Sequence, residues 1–143
     1  MSFMNDKYFL DTNIIVYAHD STTPTKQEIA QEYIFNGIRE HTGVISAQVL
    51  SEFFVTVTKK IKQTLSIPVA RHSIALLSTL QVVDIDFDIV LRAIRMQEEY
   101  HIGYWDGMII AAAERARCKT LYTEDLNPGQ TYAGIMCINP FHR

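Results

Sequence analysis

The sequence predicts an α/β fold, a three-layer α/β/α sandwich around a central and mostly parallel sheet. Short apolar runs typical of buried strands alternate along the chain with longer segments whose apolar residues recur at helical spacing. This alternation is typical of a parallel sheet that is covered by helices on both faces. The length of 143 residues, with no internal repeat or linker-like stretch, predicts one domain over residues 1–143.

The predicted strands are short, bulky runs that end at polar residues or turns. Five are expected, over residues 8–10, 44–45, 81–85, 119–123 and 135–138. Helices are expected over residues 14–18, 26–39, 47–63, 87–100 and 104–117, with a further helix that starts at residues 67–68. Ser46 and Asp86 are expected to cap two of these helices, and Thr12 or Asn13 to cap the first one.

Composition limits the function only weakly. The net charge of −3 argues slightly against a nucleic-acid partner, but setting aside four acids that bind metal would leave the rest of the chain at +1. No apolar run is long enough to span a membrane, and the N-terminus lacks the features of a signal peptide. We therefore expect a cytoplasmic protein whose two cysteines, Cys118 and Cys137, stay reduced.

Two acids follow predicted strands directly. Asp11 comes after the first strand, and Asp125 comes shortly after the strand over residues 119–123. Ligands bind at the carboxyl ends of strands in open parallel sheets. Asp11 could instead be only a helix cap, and Glu124 could serve in the place of Asp125. The cap interpretation explains one acid but leaves the comparable acids further along the chain unexplained.

Two further acids lie in the early turns of predicted helices. Asp106 shares a helical face with Ile109 and Ala113, and a carboxylate on an apolar face is costly unless it is paired or bound to metal. A position near the helix N-terminus, where the dipole favours an acid, is the alternative explanation. Glu52 lies beside an apolar stripe in the helix over residues 47–63, where most glutamates are simply solvated.

These four positions face the same edge of the predicted sheet. Four carboxylates at one edge repel each other strongly unless a cation is present, and hard oxygen ligands of this type suit Mg²⁺ or Mn²⁺. A site of this kind can generate a hydroxide and support an in-line displacement at phosphorus.

Three motifs and the order of the acids resemble the PIN domain, most closely its bacterial toxin-type (VapC-like) branch. The motifs are Leu10-Asp11-Thr12-Asn13, Tyr104-Trp105-Asp106 with its alanine-rich continuation, and Leu121-Tyr122-Thr123-Glu124-Asp125. The resemblance extends from residue 8 to about residue 140 and is specific as an ordered set, although each motif alone is weak.

The resemblance implies a divalent-metal-dependent ribonuclease. It assigns metal binding and catalysis to Asp11, Glu52, Asp106 and Asp125, with Mg²⁺ or Mn²⁺ as cofactor. Asn13 and Thr123 are implied as supporting residues. It also implies an RNA substrate, an antitoxin partner and a homodimer, because many toxin-type members are held inactive by an antitoxin and are often dimers.

The chain departs from the family pattern on both sides of Asp106. Gly103 stands where a serine or threonine commonly precedes the Tyr-Trp-Asp run, and glycine caps nearly as well. Gly107 stands where alanine is usual, and we expect it to loosen the backbone beside the acid.

Other charged groups allow two interpretations each. Lys59, Lys60 and Lys62 form a basic cluster that is either solvated surface or an RNA phosphate contact. The acids at positions 84, 86 and 88 are explained by helix capping and the helix dipole. For the whole chain, the alternative to an enzyme is a non-catalytic PIN-like module that binds RNA or protein.

Overall fold

A six-stranded sheet forms the centre of the structure, a computed structural model that describes residues 6–142. Its strands are β1 (Tyr8–Leu10), β2 (Gly43–Ser46), β3 (Gln81–Val83), β4 (Thr120–Tyr122), β5 (Thr131–Tyr132) and β6 (Ile135–Ile138). The strand order is β3-β2-β1-β4-β6-β5, and every neighbouring pair is parallel except β5 and β6. The predicted α/β fold with a mostly parallel central sheet is confirmed.

Six helices connect and cover the strands within residues 6–142. They are α1 (Thr12–Ala18), α2 (Pro24–Arg39), α3 (Ala47–Lys59), α4 (Ile67–Leu77), α5 (Phe87–Tyr100) and α6 (Tyr104–Arg115). Ser46 and Asp86 cap α3 and α5 as predicted, since each side chain accepts a hydrogen bond from a backbone N–H of the first turn. These caps fix the points at which the chain leaves the sheet.

Several boundaries differ from the prediction, and one strand was not predicted. Helix α3 ends at Lys59 rather than residue 63, because the chain folds back and the backbone N–H of Leu65 donates to the carbonyl of Val57. Helix α6 ends at Arg115, and Arg117 adopts a left-handed conformation just beyond it. Strand β5 was not predicted, because a two-residue antiparallel strand carries too little sequence pattern to detect.

Helix α6 is the most deeply buried helix in the site region, with every residue from 107 to 113 buried. Its close packing against α5 depends on Gly107, where an added Cβ would lie 2.6 Å from the carbonyl oxygen of Ala93 and 3.3 Å from the Cβ of Met96. The expectation that Gly107 loosens the backbone is therefore wrong: the absent side chain allows a tight helix contact.

Within residues 6–142, each helix is too short or too polar to cross a membrane. The side chains of Cys118 and Cys137 are both buried free thiols, and burial raises the pKa of each thiol to about 12. Both cysteines belong to the hydrophobic core.

Candidate active site

The four predicted acids lie at the carboxyl edge of the sheet. Asp11 follows β1 and Asp125 follows β4, and these two strands are parallel neighbours. Glu52 lies in α3, which starts where β2 ends, and Asp106 lies in the first turn of α6. Burial is the main cause of the raised pKa of Asp11 and of Asp106. The charges of Asp125 and Asp106 add to the rise at Asp11, and those of Asp125 and Glu52 add to the rise at Asp106.

Asp11 is buried, with 5% of its surface exposed. One carboxylate oxygen, Oδ1, accepts from the backbone N–H of Thr12 at 2.7 Å, so Asp11 caps α1 in place of Thr12 or Asn13, which were expected to do so. The other oxygen, Oδ2, accepts from the Thr123 hydroxyl at 2.7 Å. Burial raises the pKa of Asp11 to about 7, outweighing both hydrogen bonds, and the neighbouring carboxylates add to the rise.

Thr123 connects two of the acids. Its buried hydroxyl donates to Asp11 and accepts from the backbone N–H of Asp125 at 3.1 Å. Asn13 supports the same loop, because its Oδ1 accepts from the backbone N–H of Glu124 at 3.4 Å. Among residues 6–142, the buried Nδ2 of Asn13 has no hydrogen-bond partner. Both residues that were predicted to support the site thus contact the segment that carries Asp125.

Two residues that the sequence reasoning missed hold Glu52. The Thr12 hydroxyl donates to Glu52 Oε1 at 2.6 Å. The Nε2 group of Gln48 lies 3.4 Å from Glu52 Oε2 and donates to the backbone carbonyl of Trp105 at 3.1 Å. Gln48 precedes Glu52 by one helical turn, which was a readable signal, whereas the contact with Thr12 joins residues that are distant in sequence.

The side chain of Glu124 accepts hydrogen bonds from residues that are not part of the acidic site. Its Oε1 accepts from the Tyr17 hydroxyl at 2.7 Å and its Oε2 from the Lys26 ammonium at 2.5 Å. Partial burial would raise the pKa of Glu124, but these two hydrogen bonds outweigh it and the net shift is downward. Asp125 is exposed and lines the cleft described next, so it is the acid of this pair that faces a ligand.

A cleft of about 1070 Å³ opens beside the acids. Glu52 and Asp125 line it together with Thr12 and Asn13. Further along α3 and past its end, the lining continues with Val55, Thr56, Lys60 and Ile61, and α6 contributes Tyr104, Trp105 and Met108. Lys59, Lys60 and Lys62 are all exposed, and of these three Lys60 reaches the cleft.

The donor set suits a hard divalent cation in its chemistry, because all four members are carboxylates whose charges repel each other. In the described conformation Asp11 and Glu52 are held instead by threonine hydroxyls. Across residues 6–142, no three His, Cys, Asp or Glu side chains are placed to hold one ion.

The fold is similar to that of several solved structures. A toxin–antitoxin complex from Klebsiella pneumoniae is 22% identical with a TM-score of 0.67, and the match covers 94% of this chain and 98% of that one. DNA-bound VapBC from Salmonella typhimurium is 21% identical with a TM-score of 0.66, over 93% and 97% of the two chains. VapC20 from Mycobacterium tuberculosis, described as a sarcin-ricin loop cleaving toxin, is 14% identical with a TM-score of 0.60, over 83% and 90%.

A comparison with curated proteins found no match. The model of the PIN domain family, in contrast, matches residues 8–133, a span that contains all four acids and most of the chain. The parallel sheet, the placement of the acids at its carboxyl edge and this match agree, and the chain belongs to the PIN domain family.

Proposed function

We propose that the protein is a divalent-metal-dependent endoribonuclease that hydrolyses RNA phosphodiester bonds and acts as the toxin of a toxin–antitoxin pair. The observation that carries the proposal is the position of Asp11, Glu52, Asp106 and Asp125 at the carboxyl edge of the sheet, beside an open cleft. Membership of the PIN family supports it, and so does the description of VapC20 as a sarcin-ricin loop cleaving toxin.

Mg²⁺ or Mn²⁺ held by the four carboxylates would supply an activated water and stabilise charge that develops on the phosphate. The chain's own residues prepare the site. Thr123 orients Asp11 and fixes the backbone of Asp125, while Thr12 and Gln48 hold Glu52. Because the carboxylates of Glu52 and Asp125 line the cleft, either can accept a proton from the attacking water. This scheme needs no covalent intermediate with the enzyme.

The deciding experiment is cleavage of structured and unstructured RNAs by the purified protein with and without Mn²⁺. We expect metal-dependent cleavage that Asp11→Asn or Asp106→Asn abolishes while circular dichroism shows an intact fold. Asp84→Asn is the matched control, since Asp84 is an exposed acid outside the cleft lining. Undiminished cleavage by either site variant would rule out this active site.

One observation favours a second candidate, a non-catalytic PIN-like module that binds RNA or protein. Among residues 6–142 no three potential ligands are placed to hold one metal ion as the side chains stand. If the protein is a non-catalytic module that binds RNA, it should bind RNA in chelator and should not cleave it when Mn²⁺ is added. If the protein is an enzyme, it should bind RNA in chelator and should cleave at least one RNA when Mn²⁺ is added.

An antitoxin partner and a homodimer belong to the same proposal, which also places the protein in the cytoplasm. The Klebsiella and Salmonella relatives are a toxin–antitoxin complex and a VapBC complex, which supports a small partner protein. A small open reading frame next to the gene should encode it, and its co-expression should suppress cleavage. Light scattering checks the dimer, because one chain has a mass of 16.4 kDa and a homodimer has twice that mass.

A further inference from the structure

Trp105 is a large aromatic side chain that remains 61% exposed although it sits beside the acids. It is the single tryptophan of the chain, it immediately precedes Asp106 in the first turn of α6, and it lines the cleft with Glu52 and Asp125. Burying an aromatic ring of this size is strongly favourable, so an exposed ring that lines a cleft beside the acids is available to bind a ligand. The hydrolysis described above leaves this ring without a role.

The backbone of Trp105 is fixed relative to the acids while its ring stays open. The amide of Gln48 donates to the Trp105 carbonyl at 3.1 Å and lies 3.4 Å from Glu52 Oε2, so one buried side chain links both residues. The indole ring contacts Tyr104 edge to face, with centroids 5.0 Å apart and an interplanar angle of 71°. This contact supports the ring from one side and leaves most of its surface available to a ligand.

The rest of the cleft indicates what that ligand is. Apolar side chains such as Val55 and Met108 line it, and Lys60, the residue after the end of α3, supplies a positive charge. A flat aromatic surface, an apolar wall and a cation together match a nucleobase and the phosphate backbone attached to it. A divalent cation bound by the acids at the same cleft would supply the complementary position for a phosphate.

We propose that Trp105 forms a stacking subsite for one unpaired nucleobase adjacent to the scissile phosphate, and that it thereby determines which RNA segments reach the acids. This inference rests on the proposed function and adds a specificity residue to it. A base inside a duplex is stacked on its neighbours, so only a base that is already unpaired or turned outward can lie on the indole.

The first test uses the intrinsic fluorescence of the single tryptophan, recorded in chelator so that no cleavage occurs. A short single-stranded oligoribonucleotide of mixed sequence should quench the emission saturably. The same sequence annealed into a duplex should quench it much less at equal concentration. Replacing the bases one at a time with abasic sites should abolish the quenching at one position of the single strand.

The second test separates stacking from catalysis. Trp105→Ala should raise KM for the single-stranded RNA by about tenfold, which equals ~1.4 kcal/mol, and leave kcat little changed, because stacking stabilises ground state and transition state alike. Trp105→Phe should keep most of the affinity. Phe35→Ala is the matched control, since Phe35 on α2 is 62% exposed and lies outside the cleft lining.

The outcomes distinguish this inference from the proposed function. A wild type that cleaves RNA without fluorescence quenching, or Trp105→Ala with an unchanged KM, overturns the stacking subsite and leaves the nuclease intact. The exposed ring is then a contact for a protein partner. Quenching by the single strand without cleavage in Mn²⁺ supports the subsite and contradicts the nuclease, whereas no binding of RNA at all overturns both.

Discussion

Asp11 is the residue in which structural and chemical roles meet. Its carboxylate caps α1 and accepts a hydrogen bond from the Thr123 hydroxyl. These two hydrogen bonds stabilise the charged form by less than the hydration free energy that burial removes. The remaining free-energy cost of the charged form raises the pKa of Asp11 to about 7. Burial is the largest cause of this rise, and the charges of Asp125 and Asp106 are smaller causes. A carboxylate held in this state is stabilised by any cation that binds beside it.

The shifted pKa of Asp11 predicts how the stability of the metal-free protein depends on pH. The folded protein keeps the proton of Asp11 up to about pH 7, whereas the unfolded chain releases it near the ordinary value of 3.8. In this window the unfolded state binds fewer protons, so the free energy of unfolding falls as pH rises, by about 4 kcal/mol at most. Urea unfolding in chelator across this pH range measures it.

Asp11→Asn isolates that contribution. The variant cannot titrate at this position, so the difference between its unfolding free energy and that of the wild type should grow as pH rises from about 4 to about 7 and then level off. Groups that do not interact with Asp11 titrate alike in both proteins and cancel in the difference. Parallel profiles for the two proteins would show that Asp11 does not carry a raised pKa.

At the scale of elements, the packing of α5 against α6 holds Asp106 in place. Gly107→Ala should destabilise the fold by roughly 1–2 kcal/mol, because a Cβ 2.6 Å from the Ala93 carbonyl forces the helices apart and outweighs the gain in helix propensity. Thermal unfolding measures this change. In Gly103→Ala, the added Cβ meets Asp106 Oδ2 at an ordinary 3.7 Å, so any loss there comes from the poorer helix cap and not from packing. An unchanged melting temperature in Gly107→Ala would contradict the packing argument.

The second prediction at the scale of elements concerns the basic cluster at the end of α3. Lys59, Lys60 and Lys62 are exposed, and Lys60 reaches the cleft. Replacing all three with alanine should weaken RNA binding and flatten its dependence on salt, because fewer phosphate contacts release fewer counterions when the RNA binds. Binding titrations at several salt concentrations measure the slope. An unchanged slope would leave the three lysines as solvated surface, and Lys60→Ala alone should account for much of any effect.

The strands that precede Asp11 and Asp125 were predictable from sequence, and side-chain partnerships across the fold were not. Asp11 and Asp125 follow short apolar runs, and parallel topology alone brings the ends of β1 and β4 together. The bond between Thr12 and Glu52 joins positions 40 residues apart and leaves no local pattern. Gly107 was misread for the same reason, since its role depends on the carbonyl of Ala93 in another helix.

At the scale of the whole molecule, the four acids come from four separate segments, so the site exists only when the chain is folded. Two of them follow strands and two lie in helices that start at the same edge of the sheet. A cation that binds them therefore binds the folded state and not the unfolded chain, and it must stabilise the fold. The acids act as one site only if this linkage is observed.

Thermal unfolding in chelator and in Mn²⁺ measures that linkage. Burial and the charges of Asp125 and Glu52 raise the pKa of Asp106, so Asp106→Asn should relieve repulsion and raise the melting temperature in chelator while abolishing cleavage. Mn²⁺ at roughly 100 times its dissociation constant should stabilise the wild type by about 2.7 kcal/mol, on the order of 5–10 °C, and the variant much less. If both proteins melt alike in chelator and neither responds to Mn²⁺, the four acids do not form one metal site. The non-catalytic module would then be the better account of the cleft.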